Sequence, residues 1–91
     1  MKKNTDITLE KNVREIVQII LNADLSTFKT ADITPQKLPQ WDSLVHLNLI
    51  TSLEQTFEVE FELDDITTMM EGLPSILKIF EKYPGFRKAI L

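Results

Sequence analysis

The stretch Trp41-Asp42-Ser43-Leu44-Val45-His46 gathers a carboxylate, a hydroxyl and the sole histidine of the chain. Asp42 and Ser43 fall where an irregular segment gives way to an amphipathic one, which puts them at a helix N-terminus. Two roles are open to the Ser43 hydroxyl. It is an ordinary first-turn or capping serine beside a good N-cap aspartate. Or it is a group acted upon. Unpaired N–H groups and the positive end of the helix dipole stabilise a phosphate attached at such a point, and a long loop leaves the site open to a modifying enzyme. Ser43 is not a nucleophile in its own right, because no base adjoins it and no Gly-x-Ser-x-Gly elbow surrounds it. One histidine, no cysteine, no glycine-rich phosphate loop and no metal-spaced cluster leave little for catalysis, so the chain is not expected to be an enzyme or to hold a metal.

The elements that position this stretch are helical. Leu9, Val13, Ile16, Val17, Ile20 and Leu21 keep the rhythm of one buried stripe, predicting a first helix over about residues 8–22 with Thr8 as N-cap. Residues 23–42 hold Pro35 and Pro39 and no sustained period. A connection of about 20 residues is long for a compact domain, and Leu25, Phe28, Ile33 and Leu38 are expected to pack it over the core, with room for a short helical turn. A second helix is predicted from Ser43 to Phe57, burying Leu47, Leu49, Ile50, Leu53 and Phe57. Glu58, Glu60 and Glu62 then alternate with Val59, Phe61 and Leu63. With no partner strand in sight, this segment reads as an extended connector with those three apolar residues turned inward. A short helix follows, capped by Asp64 or Asp65, with Ile66, Met69 and Met70 inward. Gly72 breaks it. Pro74 suits the first turn of a last helix whose inner face is Leu73, Ile76, Leu77, Phe80 and Tyr83, and Pro84-Gly85 ends it. The fold class is all-α: a four-helix bundle of three main helices and one short one, with a long loop between the first two.

Length and composition agree. The 91 residues, 43% of them hydrophobic, make one domain over 1–91, with a core at about 8–83 and a tail at 84–91. The absence of cysteine excludes disulfides and thiolate sites and fits a reducing cytoplasm. The opening MKKNTD leads into no apolar run of a secretory signal, and no segment approaches the ~20 apolar residues that span a bilayer. A soluble, cytoplasmic monomer with no membrane partner is expected. The net charge is −4, and no lysine or arginine stands between Leu38 and Leu77 while eight carboxylates do. That repels nucleic acid and favours partners with basic docking patches.

The order of long helix, long loop, Trp-Asp-Ser-Leu, helix, short helix and last helix resembles the acyl carrier protein family, with its peptidyl and aminoacyl relatives, over residues 8–83. The specific part is Asp42-Ser43-Leu44 leading into Leu47-Asn-Leu-Ile-Thr-Ser-Leu-Glu-Gln-Thr-Phe57. The resemblance implies that Ser43 carries a 4′-phosphopantetheine arm, with Asp42 and Leu44 read by the phosphopantetheinyl transferase. It implies cargo held as thioesters, charged by an acyl- or aminoacyl-loading ligase and passed to downstream biosynthetic enzymes. Val45 and Asn48 stand where fatty-acid carriers tend to have acids, so a specialised member is expected, docking its partners through Leu44, Val45 and Asn48. Glu58 replaces the glycine that often follows the helix-ending Phe. His46 shares an inner line with Ile50. It is either a packed ring with a nitrogen bonded to backbone or water, or, with Ile50, the mouth of a cargo cavity where a polar group disfavours long acyl chains. The competing account is a helical protein–protein interaction module in which Ser43 is only a cap. Trp41 is expected to staple loop to helix.

Overall fold

Leu9, Val13, Val17 and Leu21 recur at i, i+4, i+8 and i+12 and are buried, which makes one ridge of helix α1 (Lys2–Leu21) the floor of the core. The computed structural model describes residues 2–83, with side chains from residue 9 onward. The helix begins earlier than its apolar stripe, so Thr8 lies inside it and is not its cap. Its exit is a Schellman turn: Asn22 takes φ 53°, and the Ala23 and Asn22 N–H groups donate to the carbonyls of Gln18 and Ile19.

The connection to the second helix holds one 3-10 turn (Thr30–Asp32) and is pinned from below. One guanidinium nitrogen of Arg14 donates to the carbonyls of Leu25 (2.9 Å) and Phe28 (2.7 Å), and the other to Thr30 Oγ1 (3.0 Å). Gln18 Oε1 accepts from the Leu25 N–H at 2.8 Å. All of these but Thr30 Oγ1 are backbone groups of a loop with no ladder to join, and the planar fork of arginine suits several at once. Leu25, Ile33, Leu38 and Trp41 then sink into the core.

Helix α2 (Ser43–Phe57) buries His46, Leu49, Ile50, Leu53 and Phe57. Leu47, expected inside, is 57% exposed. The buried set spans an arc of about 100° centred between Leu53 and His46, and Leu47 lies about 60° beyond its edge at Ile50. Glu58 ends the helix in the left-handed region at φ 55°, and the Val59 N–H closes back on the Glu54 carbonyl. The exit turn expected of a glycine is thus made by a glutamate.

The extended connector expected from Glu58 starts one residue later, because Glu58 is the left-handed turn; residues 59–62 belong to no helix, with Phe61 buried and Val59 half-buried. Leu63 departs from expectation: it is the first residue of helix α3 (Leu63–Met69) and is 77% exposed. The N-cap is Glu62, not Asp64 or Asp65. Asp65 is buried, 4% exposed, where Lys82 Nζ (2.7 Å) and the Tyr83 hydroxyl donate to its two oxygens. Tyr83 Oη in turn accepts from the Glu62 N–H. Those bonds hold the Asp65 carboxyl below its usual range, Lys82 first and Tyr83 second, while Asp65 pushes both partners' proton affinities up.

Gly72, at φ 135°, turns the chain into helix α4 (Leu73–Phe80), with Pro74 in its first turn. Leu73, Ile76, Ile79 and Phe80 are buried, and Leu77 and Tyr83 are half-buried against them. The helix ends at Phe80, and Pro84-Gly85 and the tail lie outside the described residues. Phe80 meets Phe57 and Phe61 edge-on at 4.9 and 5.3 Å between centroids. Among the described residues the fold is all-helical, three main helices and one short one with a long first connection. None of these helices is long and apolar enough to cross a membrane.

Candidate functional site

Trp41 fixes the approach to Ser43. Its indole is buried, and the loop turns there, with the Trp41 N–H donating to the Leu38 carbonyl at 2.9 Å. Asp42 follows in extended conformation and caps α2: its Oδ1 accepts from the Val45 N–H at 2.9 Å, and its carbonyl from the His46 N–H at 2.8 Å. The capping role open to both residues therefore belongs to Asp42. Ser43 is the first helical residue. Its side chain is exposed, and among the described residues its hydroxyl makes no hydrogen bond. The backbone N–H groups of Ser43 and Leu44 have no intrahelical acceptor, by helix geometry.

A stability comparison separates the two residues. Asp42→Ala is expected to lower the unfolding free energy by about 1 kcal/mol through loss of the cap. Ser43→Ala is expected to change it by no more than about 0.5 kcal/mol, as at an ordinary surface position. Urea unfolding of both variants checks this, and equal losses would return the capping role to the serine.

Leu44 is 69% exposed beside the hydroxyl, and Asn48 is exposed one turn on. Val45 is different: it is half-buried and packs against the core, so it offers less surface than expected. Leu47 takes its place. At 100° per residue Leu44, Leu47 and Thr51 point the same way, giving α2 an exposed apolar edge that starts next to Ser43. With His46 inward on the line of Ile50, as the sequence suggests, the buried arc already lies away from Leu47, and including Leu47 in the same stripe is the step that fails.

His46 and Ile50 are both buried on the inner side of α2. The histidine ring is 5% exposed and both its nitrogens are engaged. Trp41 Nε1–H donates to Nδ1 at 3.1 Å, and Nε2 lies 2.8 Å from the Ile66 carbonyl. An indole N–H only donates and a carbonyl only accepts, so the neutral ring carries its proton on Nε2. The ring planes are 28° apart with centroids at 6.1 Å. Burial pushes the His46 proton affinity down, and the bond to the Ile66 carbonyl offsets part of that. His46 is thus a strut between the loop end, α2 and α3, sealed in by neighbours on both ring nitrogens.

The site brings together Asp42, Ser43, Leu44 and, behind them, Trp41 and His46. Asp65 with Lys82 and Tyr83 forms a second polar cluster that the sequence pattern did not disclose. Among the described residues no group of three or more His, Asp or Glu is placed to hold a metal ion. No family model, curated protein or solved structure matches the chain.

Proposed function

We propose that this chain is a specialised carrier protein of the acyl carrier kind, not itself a catalyst, which holds biosynthetic intermediates on Ser43. The observation that carries this is the division of labour at the start of α2. Asp42 takes the cap, and the neighbouring hydroxyl stands exposed and unbonded beside two N–H groups that suit a phosphate. The hydroxyl is exposed, so a phosphodiester on Ser43 Oγ would project towards solvent. Asp42 and Leu44, flanking the hydroxyl in the open, are the features a phosphopantetheinyl transferase would read.

The arm supplies a thiol that holds cargo as a thioester. The chain has no cysteine, so that thiol would have no internal competitor for exchange. Charging then falls to an acyl- or aminoacyl-loading ligase, and partner enzymes dock on the edge that starts at Leu44, with Asn48 beside it and Val45 behind. His46 and Ile50 are packed against neighbours, and opening a path between them would break the ring's two hydrogen bonds. That favours cargo that is small or stays outside the bundle.

The test is intact mass after incubation with coenzyme A, Mg²⁺ and a broad-specificity transferase. One phosphopantetheine is expected on the native chain and none on Ser43→Ala. No gain with several transferases would leave a helical interaction module, with Leu44 and Leu47 as its contact edge, as the better account.

A further inference from the structure

We propose that His46 is the positioning residue for the Ser43 site, and that its protonation releases the loop end at Trp41 from α2 while the bundle stays folded. The inference rests on three joined facts. The ring sits on α2 one turn behind Ser43 and bonds the residue two positions before that serine. Its other nitrogen bonds the backbone of α3 at Ile66, in a helix of seven residues, too short to hold its place without such ties. And both partners are fixed in role, because neither the indole N–H nor the carbonyl can change sides.

A proton added to the ring therefore goes to Nδ1. The Nδ1–H then faces the Trp41 Nε1–H, donor against donor, and the 3.1 Å bond cannot survive. The Ile66 bond does survive, since Nε2 already donates. Protonation thus has a directed effect: it leaves α3 tied to α2 and frees the indole, which carries the turn leading into Asp42 and Ser43.

The surroundings do not rescue the charged ring. Capping its own helix, Asp42 accepts from the Val45 N–H. On the loop, Lys37 and Asp32 pair with each other at 3.5 Å. On α3, Asp65 is held by Lys82 and Tyr83, while Asp64 and the N-cap Glu62 are exposed. Burial already pushes the ring's proton affinity below that of a free histidine. Between the folded value and 6.5 the unfolded chain binds the extra proton and the folded chain does not. The latch is therefore closed at pH 6.5 and above, stays closed through that window while stability declines, and opens only as the pH falls through the ring's lowered folded value.

The sole tryptophan is bonded to the sole histidine, so the test needs no label. Trp41 emission, near-UV and far-UV circular dichroism, and the Ser43 and Leu44 amide resonances are followed from pH 7.5 to 4.5. The variant is His46→Gln, whose side-chain amide can still donate towards Ile66 and does not titrate. The native chain is expected to show a one-proton transition with its midpoint below 6.5, in which emission shifts to the red, both amide resonances move and helicity at 222 nm is retained. His46→Gln is expected to show none. Flat emission down to pH 4.5, an equal transition in His46→Gln, or loss of emission and helicity together would each overturn the proposal. None of these readouts depends on Ser43 carrying an arm, so the latch and the carrier function fail separately.

Discussion

Phe57→Ala is expected to lower the unfolding free energy by about 3–5 kcal/mol, a large share of what holds a domain of this size together. Phe57 closes α2, is almost fully buried, and meets Phe80 of α4 edge-on at 4.9 Å. Phe80 is also met by Phe61 from the connector, and Phe61 by Tyr83 at 5.2 Å. Truncating the first ring opens a cavity against the Phe80 ring, where α2 and α4 meet. Phe57→Leu keeps most of the volume and is expected to cost under about 1.5 kcal/mol. Urea midpoints of the two variants decide the matter. Equal losses would mean that the position is governed by helix termination and not by packing.

Gly72→Ala is expected to destabilise by about 2–4 kcal/mol, from strain and overlap acting together. The residue lies at φ 135° and ψ −178°, a region essentially reserved for glycine. A Cβ there would stand 2.8 Å from Thr34 Cγ2, 3.0 Å from the Ile33 carbonyl oxygen and 3.3 Å from Thr34 Cα. The same carbonyl accepts the Leu73 N–H at 2.9 Å, so it cannot retreat without releasing the start of α4. Thr34→Ser removes only the methyl contact. The double variant Gly72→Ala/Thr34→Ser should recover a minor part of the loss, and full recovery would show that overlap with one methyl, not the backbone angle, was the whole effect.

How far the sequence discloses this molecule depends on the kind of interaction. The helices of the bundle follow from apolar periodicity, because Leu9, Val13, Val17 and Leu21 leave no other way to share one face. The glycine and proline around α4 mark its start for simple reasons of φ and a missing N–H. Periodicity fails where the inward residue is polar. His46 belongs to the buried stripe and Leu47 does not, yet a hydropathy scale ranks them the other way. It fails again at Leu63, where an alternating pattern ends one residue sooner than its apolar members suggest. Arg14 and Asp65 are hidden for another reason. Their partners, the carbonyls of Leu25 and Phe28 and the side chains of Lys82 and Tyr83, lie 11 to 18 residues away, and nothing local marks a charge as a tie to a distant backbone.

At the site, Asp42-Ser43-Leu44 is legible as a helix start. Which of the two polar residues caps it is not, since both side chains suit the role and only the extended backbone of Asp42 decides. The pairing of Trp41 with His46 is likewise a matter of how the loop lands. With the cap assigned, the exposed hydroxyl is left without a structural task, and that is where the carrier reading rests.

The most direct test is a peptide map of the protein purified from its native cells. Because no lysine or arginine stands between Leu38 and Leu77, trypsin releases residues 38–78 as one fragment containing Ser43. The carrier reading predicts that this fragment bears one phosphopantetheine, alone or with cargo, and that fragmentation places it on Ser43. A fragment found only unmodified, from cells whose other carriers are loaded, would contradict it.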